Sequence, residues 1–393
     1  MVRQTLAIVT DSYWPAKGGI EQTVQILAKN LKTHFNVYIV THCIPKRSTL
    51  FSKYSTTRGE CPCNDPYGTN IIHLKASPIQ RLILLPLLIW NVPPVRRFKS
   101  ARLFDFLFIF YKAAYKRKLE KLIDECSITH CFSTNYPARC ISEICLQKGI
   151  SFIHSPYIHF GKWGDSPAQL QTYCYADAVI CPTKSFKNRF ISCNHTERTR
   201  LVVIPPIIPE QSGPTISEPP VPQRFILFLG RREAHKGLAM LLVAFTGIET
   251  SVKLVIAGPG EPIKIRNDSI IDLGEVDENI KYWLLSSCEF ICVPSHDETF
   301  GIVFAEAMCY GKPVVALDVS PINEIVQNGK SGLLISPDNT DDLRNALDKL
   351  LTDHKLRIHM GKTALQTYKS CFETKKILEK YISLYKSIVP DTP

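Results

Sequence analysis

The sequence predicts an α/β protein built from two doubly wound parallel-sheet domains of the Rossmann-like type. Short apolar runs alternate with amphipathic stretches in both halves of the chain, which is the pattern of repeated βαβ units. A proline-rich segment, residues 204–223, interrupts this alternation once, and the pattern then starts again. The length of 393 residues fits two or three domains of ordinary size.

In the first half, seven apolar runs are predicted to be strands: residues 5–10, 36–41, 71–74, 127–132, 150–154, 178–181 and 201–204. Three amphipathic stretches are predicted to be helices: residues 19–31, 138–147 and 184–192. Because prolines remove backbone donors and disfavour helix, residues 204–223 are expected to form an extended linker. The first domain is therefore expected to span residues 1–203.

The second half repeats the pattern, and residues 224–370 are expected to form the second domain. Its predicted strands are residues 224–229, 252–257, 270–273, 290–294, 314–317 and 332–335. Its predicted helices are residues 237–245, 279–286, 301–310, 323–327 and 341–351. A last helix, at about residues 373–388 of a closing segment 371–393, is expected to pack back on the first domain.

Composition indicates a globular protein, because 45% of the residues are hydrophobic and 21% are charged. The net charge of +11 is uneven: residues 1–208 carry 27 Lys/Arg against 12 Asp/Glu, whereas residues 209–393 carry 20 against 24. The first half is therefore expected to attract an anionic partner, such as a membrane surface or a phosphorylated acceptor. No nucleic-acid-binding motif is recognisable, so nucleic acid is not expected as a partner.

The fourteen cysteines are scattered, and several lie in apolar segments, where a free thiol behaves as a small hydrophobe. No two Cys-x-x-Cys clusters have zinc spacing, and Cys61 with Cys63 is interpreted as part of a loop. Residues 1–10 lack the apolar core of a secretory signal. These features predict a cytoplasmic protein.

Glycines and fixed charges follow two of the predicted strands. Gly18 and Gly19 lie between the first strand and a helix, where backbone amides can approach a phosphate; the alternative is a tight turn that serves geometry alone. Arg231 and Lys236 follow the first strand of the second half. Two cations at a strand end suit the binding of a diphosphate, although surface cations are common.

A third segment, residues 298–306, follows the predicted strand 290–294 and opens a helix near Gly301. Ligands of parallel sheets bind at the carboxyl ends of strands, so the amides of Phe300, Gly301, Ile302 and Val303 are expected to face a diphosphate. Glu298 precedes this helix, and Glu306 lies inside it among apolar neighbours, where an idle carboxylate is costly. A ligand role is therefore favoured over a dipole or surface role.

The leaving group of a nucleotide diphosphate sugar carries about two negative charges, which an enzyme offsets with a metal ion or with helix N-termini and fixed cations. The sequence has no Asp-x-Asp, the usual carboxylate pair of metal-dependent sugar transferases. We therefore expect a site that needs no metal and no other cofactor.

In order and spacing, these residues resemble the pattern of glycosyltransferase family 4. The marks are Gly18-Gly19, Gly230-Arg231 with Lys236-Gly237, Gly258-Pro259-Gly260, Glu298 with Glu306, Gly311-Lys312-Pro313 and Glu324-Ile325-Val326. The match is nearly continuous over residues 224–350 and thinner in the first half. The resemblance implies the GT-B architecture, two Rossmann-like domains facing across a cleft, and a retaining enzyme that moves a hexose-type sugar from a UDP- or GDP-sugar to a glycan or lipid-linked acceptor.

The resemblance also implies roles for particular residues. The diphosphate would be held by Gly19, Arg231, Lys236 and the amides of residues 300–303. Glu306 would bind the ribose, and Glu298 would bind the transferred sugar. Val276, in the segment 275–277, would line the base. His154 resembles the family's histidine near the reacting carbon, with His130 and His159 as competitors and a structural role as the alternative.

Residues 79–121 contain ten Lys/Arg and two acids around two apolar runs, 82–90 and 103–111. Neither run is long enough to span a bilayer, but basic and aromatic amphipathic segments suit an anionic lipid surface. The alternative is a helical hairpin packed on the sheet or on a partner chain. For the whole protein, a sugar-nucleotide epimerase, a phosphorylase and a non-catalytic sugar-nucleotide-binding scaffold are the competing functions.

Overall fold

The computed structural model describes residues 3–16, 18–42, 50–55, 62–91, 101–193, 199–209, 221, 224–264 and 267–389. The chain forms two compact units, the first of Met1–Ile207 with Ile377–Pro393 and the second of Ile208–Lys376. Lys17, most of the expected linker 204–223 and residues 92–100 of the basic segment lie outside the described residues.

The first unit contains a seven-stranded parallel sheet in the order β3-β2-β1-β4-β5-β6-β7. Its strands are Thr5–Val9 (β1), Asn36–His42 (β2), Asn70–Leu74 (β3), Ile128–Cys131 (β4), Ser151–His154 (β5), Ala178–Cys181 (β6) and Arg200–Val203 (β7). The central strands are buried on both faces, so β1 and β6 are almost entirely apolar, whereas β4 also buries Thr129 and His130. All seven predicted strands are confirmed, with ends shifted by one residue at most.

Within the described residues, seven helices between β1 and β7 connect and cover these strands. They are Gly19–Leu31 (α1), Leu50–Ser55 (α2), Pro78–Ile83 (α3), Ala101–Ile123 (α4), Tyr136–Lys148 (α5), Pro167–Tyr173 (α6) and Lys184–Cys193 (α7), and a 3-10 segment spans Leu85–Asn91. The helices predicted near α1, α5 and α7 are confirmed. The 23-residue α4 was not predicted from the sequence, because apolar residues on both of its faces hide the helical period.

The second unit contains a six-stranded parallel sheet in the order β10-β9-β8-β11-β12-β13. Its strands are Phe225–Leu229 (β8), Lys253–Ala257 (β9), Ile270–Gly274 (β10), Ile291–Cys292 (β11), Val314–Leu317 (β12) and Gly332–Ile335 (β13). All six predicted strands are confirmed, although β11 is shorter than expected. In both sheets the strand order reverses direction beside the first strand, which defines a topological switch point.

The helices of the second unit are Leu238–Thr246 (α8), Glu278–Ser287 (α9), Ile302–Cys309 (α10), Ile322–Ile325 (α11), Thr340–Thr352 (α12) and His354–Thr367 (α13). The five predicted helices are confirmed as α8 to α12. The last helix, Thr374–Ile388 (α14), belongs to the first unit from Ile377 onwards. Its Tyr385 hydroxyl lies 2.6 Å from Nδ1 of His130 on β4, and this contact ties the helix to the first sheet.

Candidate active site

The switch point of the second sheet lies between β8 and β11, the strands that carry the candidate residues in their following loops. These loops contact one another: the His296 amide donates to the His235 carbonyl at 2.8 Å. Gly237 has φ of +72°, and a β-carbon there would lie 2.0 Å from the Pro294 carbonyl oxygen. Only glycine permits this approach, so the loop after β8 lies directly against the loop after β11.

This packing brings Lys236 and Glu298 together. Lys236 Nζ lies 2.6 Å from Glu298 Oε1, and the two side chains are only 14% and 10% exposed. A mostly buried ion pair satisfies both charges while leaving each able to exchange its partner for a charged or hydroxylated ligand. Two residues that the sequence assigned to one ligand are therefore in direct contact.

The helix α10 begins four residues after Glu298. Gly301 caps it with φ of +90°, a conformation that favours glycine, and Phe300 is buried against the ring of Phe372. The first amides of an α-helix lack partners within the helix, and those of Ile302 and Val303 form no backbone hydrogen bond with another described residue. The predicted amide segment 300–303 therefore adjoins Glu298 and the Lys236 ion pair.

Glu306, one turn further along α10, is also paired with a lysine. Lys281 on α9 places its Nζ 2.5 Å from Glu306 Oε1, and the carboxylate side chain is 7% exposed. Sequence reasoning named Glu306 and missed Lys281, because a single lysine on a predicted amphipathic helix is ordinarily a solvated residue. The site therefore contains two Lys–Glu pairs.

The two adjacent arginines after β8 differ in their environment. Arg231, a predicted diphosphate ligand, is largely exposed and pairs with Glu233 at 2.8 Å. The Arg232 side chain is only 4% exposed and pairs with both oxygens of Asp272. Burial alone would raise the pKa of Asp272, but the Arg232 guanidinium and the hydrogen bonds from the Ile263 and Gly274 amides together outweigh burial, and the pKa is lowered. Arg232 is thus a structural residue, whereas the Arg231 guanidinium is free to turn towards a ligand.

The predicted base-lining segment, residues 275–277, joins β10 to α9. Val276 is partly buried against the core of the second unit. Asp277 accepts a hydrogen bond from the Ile280 amide at 2.9 Å and so caps α9. The cap occupies the Asp277 carboxylate, which leaves Val276 as the side chain suited to an apolar contact with a base.

In the first unit, Gly18 and Gly19 stand at the start of α1, as predicted. Gly18 is extended, and a β-carbon there would lie 2.3 Å from Oε2 of Glu21. The Glu21 carboxylate folds back over the helix start and accepts a hydrogen bond from the Ser12 hydroxyl at 2.5 Å. In this conformation the Glu21 carboxylate lies beside the backbone of Gly18.

His154, the predicted catalytic histidine, is fully buried at the end of β5. Its Nε2 donates to the Ser133 carbonyl at 2.6 Å, and its ring packs edge-on against Tyr173. Burial lowers the pKa of His154 to about 4, so the imidazole is neutral near pH 7. Contact with a ligand would require this side chain to be uncovered. The competitor His130 uses both ring nitrogens, bonding Tyr385 and Ser155.

A polar cluster at the carboxyl ends of β1 and β4 was not predicted. Asp11 accepts a hydrogen bond from Asn135 Nδ2 at 2.8 Å and lies 3.3 Å from Lys53 Nζ. Its other oxygen is buried with no hydrogen-bond partner among the described residues. The available signal was its position, since both Asp11 and Asn135 follow strands that flank the switch point of the first sheet.

The described part of the chain holds no group of three His, Cys, Asp or Glu side chains arranged to bind a metal ion. Nor does any helix within the described ranges have both the length and the apolarity needed to cross a bilayer.

Models of two protein families match this chain. The model for Glycosyltransferase Family 4 matches residues 17–211, and the model for glycosyl transferases group 1 matches residues 215–367. Together the two models cover every strand except β1 and all of the site residues that the sequence predicted.

Individual relatives agree with these matches. The chain is 26% identical over 311 residues to an uncharacterized glycosyltransferase of Methanocaldococcus jannaschii, covering 71% of this chain and 80% of the relative. It is 32% identical over 184 residues to a phosphatidyl-myo-inositol mannosyltransferase of Mycobacterium leprae, covering 43% of this chain and 49% of the relative. The chain thus matches about half the length of that mannosyltransferase.

Solved structures share the fold over nearly the whole chain. A sucrose-phosphate synthase from Thermosynechococcus elongatus superposes with a TM-score of 0.73 at 18% identity, covering 98% of this chain and 99% of the other. Anabaena HepE in complex with UDP-glucose superposes with a TM-score of 0.70 at 15% identity, covering 98% and 100%. The chain is therefore a glycosyltransferase with the two Rossmann-like domains of the GT-B fold, and it belongs to glycosyltransferase family 4.

Proposed function

We propose that this glycosyltransferase moves a hexose-type sugar from a UDP- or GDP-sugar to a glycan or lipid-phosphate-linked acceptor. The observation that carries the proposal is the Lys236–Glu298 pair at the carboxyl edge of the second sheet, beside the start of α10. It combines a cation for a phosphate, a carboxylate for sugar hydroxyls and unused helix amides within one set of adjoining loops.

Donor binding would replace the internal ion pair with ligand contacts. Lys236 would turn its Nζ to the diphosphate, and the Glu298 carboxylate would accept hydrogen bonds from hydroxyls of the transferred sugar. The amides of residues 300–303 and the exposed Arg231 would supply the remaining positive charge. Gly18 and Gly19 would add backbone amides once the Glu21 carboxylate moves away.

The same groups would stabilise the departing diphosphate. Its charge grows as the glycosidic bond breaks, and fixed cations and helix amides in a water-poor site stabilise developing charge strongly. This arrangement needs no metal ion. As in the family it belongs to, we propose retention of the anomeric configuration, with the leaving phosphate taking the acceptor proton and His154 next to the reacting carbon.

Nucleoside recognition would use Glu306 and Val276. Glu306 would accept hydrogen bonds from the ribose hydroxyls, held in place by Lys281, and Val276 would contact the base. Structural neighbours contain UDP or UDP-glucose, which favours a uridine donor for the first tests. Relatives are named for the transfer of three different hexose-type sugars, mannosyl, kanosaminyl and rhamnosyl groups. For the transferred sugar we therefore propose a hexose type and no particular hexose.

We place the acceptor on the first unit. The Asp11 carboxylate, with its unused buried oxygen, suits an acceptor hydroxyl, and Lys53 suits an acceptor phosphate. All described cysteines are free thiols, and most are buried. Free thiols fit a reducing compartment, so we propose that the enzyme works in the cytoplasm.

The donor proposal is tested by thermal unfolding of the protein in EDTA, with and without UDP or GDP. A ligand that binds only the folded protein raises the melting temperature, so we expect at least one nucleotide to do so without metal. Absence of a shift with either nucleotide would refute the donor site. A shift that appears only when Mg²⁺ or Mn²⁺ is added would refute metal independence alone.

Transfer is tested by comparing the parent with Glu298→Gln in a screen of UDP- and GDP-sugars. We expect the parent to hydrolyse or transfer from one donor slowly even without its acceptor. The Glu298→Gln variant should lose this turnover while still binding the nucleotide. Full turnover in the variant would show that Glu298 has no part in the reaction.

A further inference from the structure

Seven of the fourteen large apolar side chains that stand exposed in the described residues lie between positions 79 and 109. Ile79 and Leu82 on α3 are 70% and 67% exposed, and Phe106 and Ile109 on α4 are 48% and 60% exposed. The other three belong to the 3-10 segment that follows α3. We call these seven side chains the outer apolar patch.

The patch is not the rim of the protein core. The opposite face of α4, which includes Leu107, Tyr111 and Tyr115, is fully buried in the core of the first unit. A surface helix ordinarily turns charged or polar residues outwards, and one that is apolar on both faces is covered by something else. Phe106 and Ile109 therefore need a covering partner.

The two helices that carry the patch adjoin one another. Gln80 on α3 donates from its Nε2 to the carbonyl of Ala114 in the middle of α4, at 2.5 Å. Ser77 and Gln80 form a capping box that fixes the start of α3. The exposed apolar residues of α3 and α4 thus belong to one folded surface.

Unpaired cations border this surface. Arg102, Arg117 and Lys121 share the exposed side of α4 with Phe106 and Ile109. None of these three cations forms an ion pair with another residue of the described ranges, and Arg81 on α3 forms none there either. The two acids of this region are already paired with other cations, Asp105 with Arg139 and Glu120 with Lys116.

We propose that the outer apolar patch docks on an anionic lipid bilayer, with α3 and α4 lying flat in the interface. Exposed Ile, Leu and Phe side chains would enter the acyl boundary, while the bordering cations meet lipid phosphates. A protein partner would need an apolar surface surrounded by acidic residues. An anionic bilayer offers both an apolar interior and negatively charged phosphates. The surface belongs to the first unit, and the proposal does not depend on the donor site of the second.

The test is co-sedimentation of the full chain with vesicles of equal parts phosphatidylglycerol and phosphatidylcholine, compared with pure phosphatidylcholine vesicles. The parent should bind the anionic vesicles and lose most of this binding at high salt. The variant Ile79→Ser/Leu82→Ser should bind about tenfold or more weakly, because it removes two of the most exposed apolar side chains. Arg102→Ser/Arg117→Ser should weaken binding to a similar extent.

The matched control is Val243→Ser/Ile358→Ser, which removes two comparably exposed apolar side chains from the second unit. It should bind vesicles as the parent does, and all variants should keep the melting temperature and the UDP shift of the parent. Equal vesicle binding by the parent and Ile79→Ser/Leu82→Ser would overturn the proposal. So would a dimer of the parent that this double variant converts to monomers, because a second copy would then cover the patch.

Discussion

Replacement of Lys236 by methionine tests the central feature of the candidate site. Methionine keeps most of the side-chain volume and removes the charge, so the loop after β8 should stay folded. Hydrogen bonds to charged groups contribute about 1.5–3 kcal/mol, so loss of the Lys236 contact with a diphosphate should weaken UDP binding about tenfold to a hundredfold. Isothermal titration of UDP in EDTA measures this change.

The stability of the ligand-free protein should change as well. Lys236→Met leaves the Glu298 carboxylate, 10% exposed, without its cation, which should cost about 1–3 kcal/mol of unfolding free energy. The double variant Lys236→Met/Glu298→Gln should recover part of this loss, because the unpaired charge is gone. Urea unfolding of the parent, both single variants and the double variant closes the cycle.

The control for this experiment is Lys253→Met. Lys253 begins β9, so it lies at the opposite, amino edge of the same sheet, where its Nζ donates to the Asp268 carbonyl. It should leave UDP affinity unchanged. The reasoning fails if Lys236→Met binds UDP as tightly as the parent, or if Lys253→Met weakens binding by the same factor.

Three further predictions concern other parts of the structure. Lys281→Met should shrink the preference for UDP over its 2′,3′-dideoxy analogue, since Glu306 loses the cation that positions it for ribose; an unchanged preference in competition titrations would exclude this role. Gly237→Ala should cost at least about 2 kcal/mol more unfolding free energy than Gly329→Ala, because both glycines have similar positive φ but only the first β-carbon would meet backbone; equal losses in urea would contradict the loop packing. Acidification should destabilise the first unit, because the pKa of His154 is about 4 when folded and 6.5 when unfolded, so the unfolded chain binds more protons between these values. His154→Gln should remove about 2 kcal/mol of the stability lost between about pH 7 and pH 5, and an identical pH profile in urea would refute the assignment.

The strands and most helices could be read from the sequence because their signals are local. Strands of a parallel sheet are buried on both faces, so β6 and β8 appear in the sequence as unbroken apolar runs. Helices with one apolar face, such as α1 and α12, can be predicted from the sequence equally well. The long helix α4 could not be predicted in this way, because its outward apolar residues belong to an exposed surface and obscure the helical period.

The sequence by itself determined the fold class, the family and which glutamates, lysine and glycines gather after β8 and β11. Their order along the chain, together with the parallel topology, brings the carboxyl ends of those strands to one edge of a sheet.

Only the tertiary structure decided the pairings. Lys236 and Glu298 are 62 residues apart and Lys281 and Glu306 are 25 apart, and no local pattern specifies that such charges meet. Burial of His154 is likewise a tertiary outcome. Sequence patterns report which element a residue occupies, whereas side-chain contacts depend on how distant elements pack.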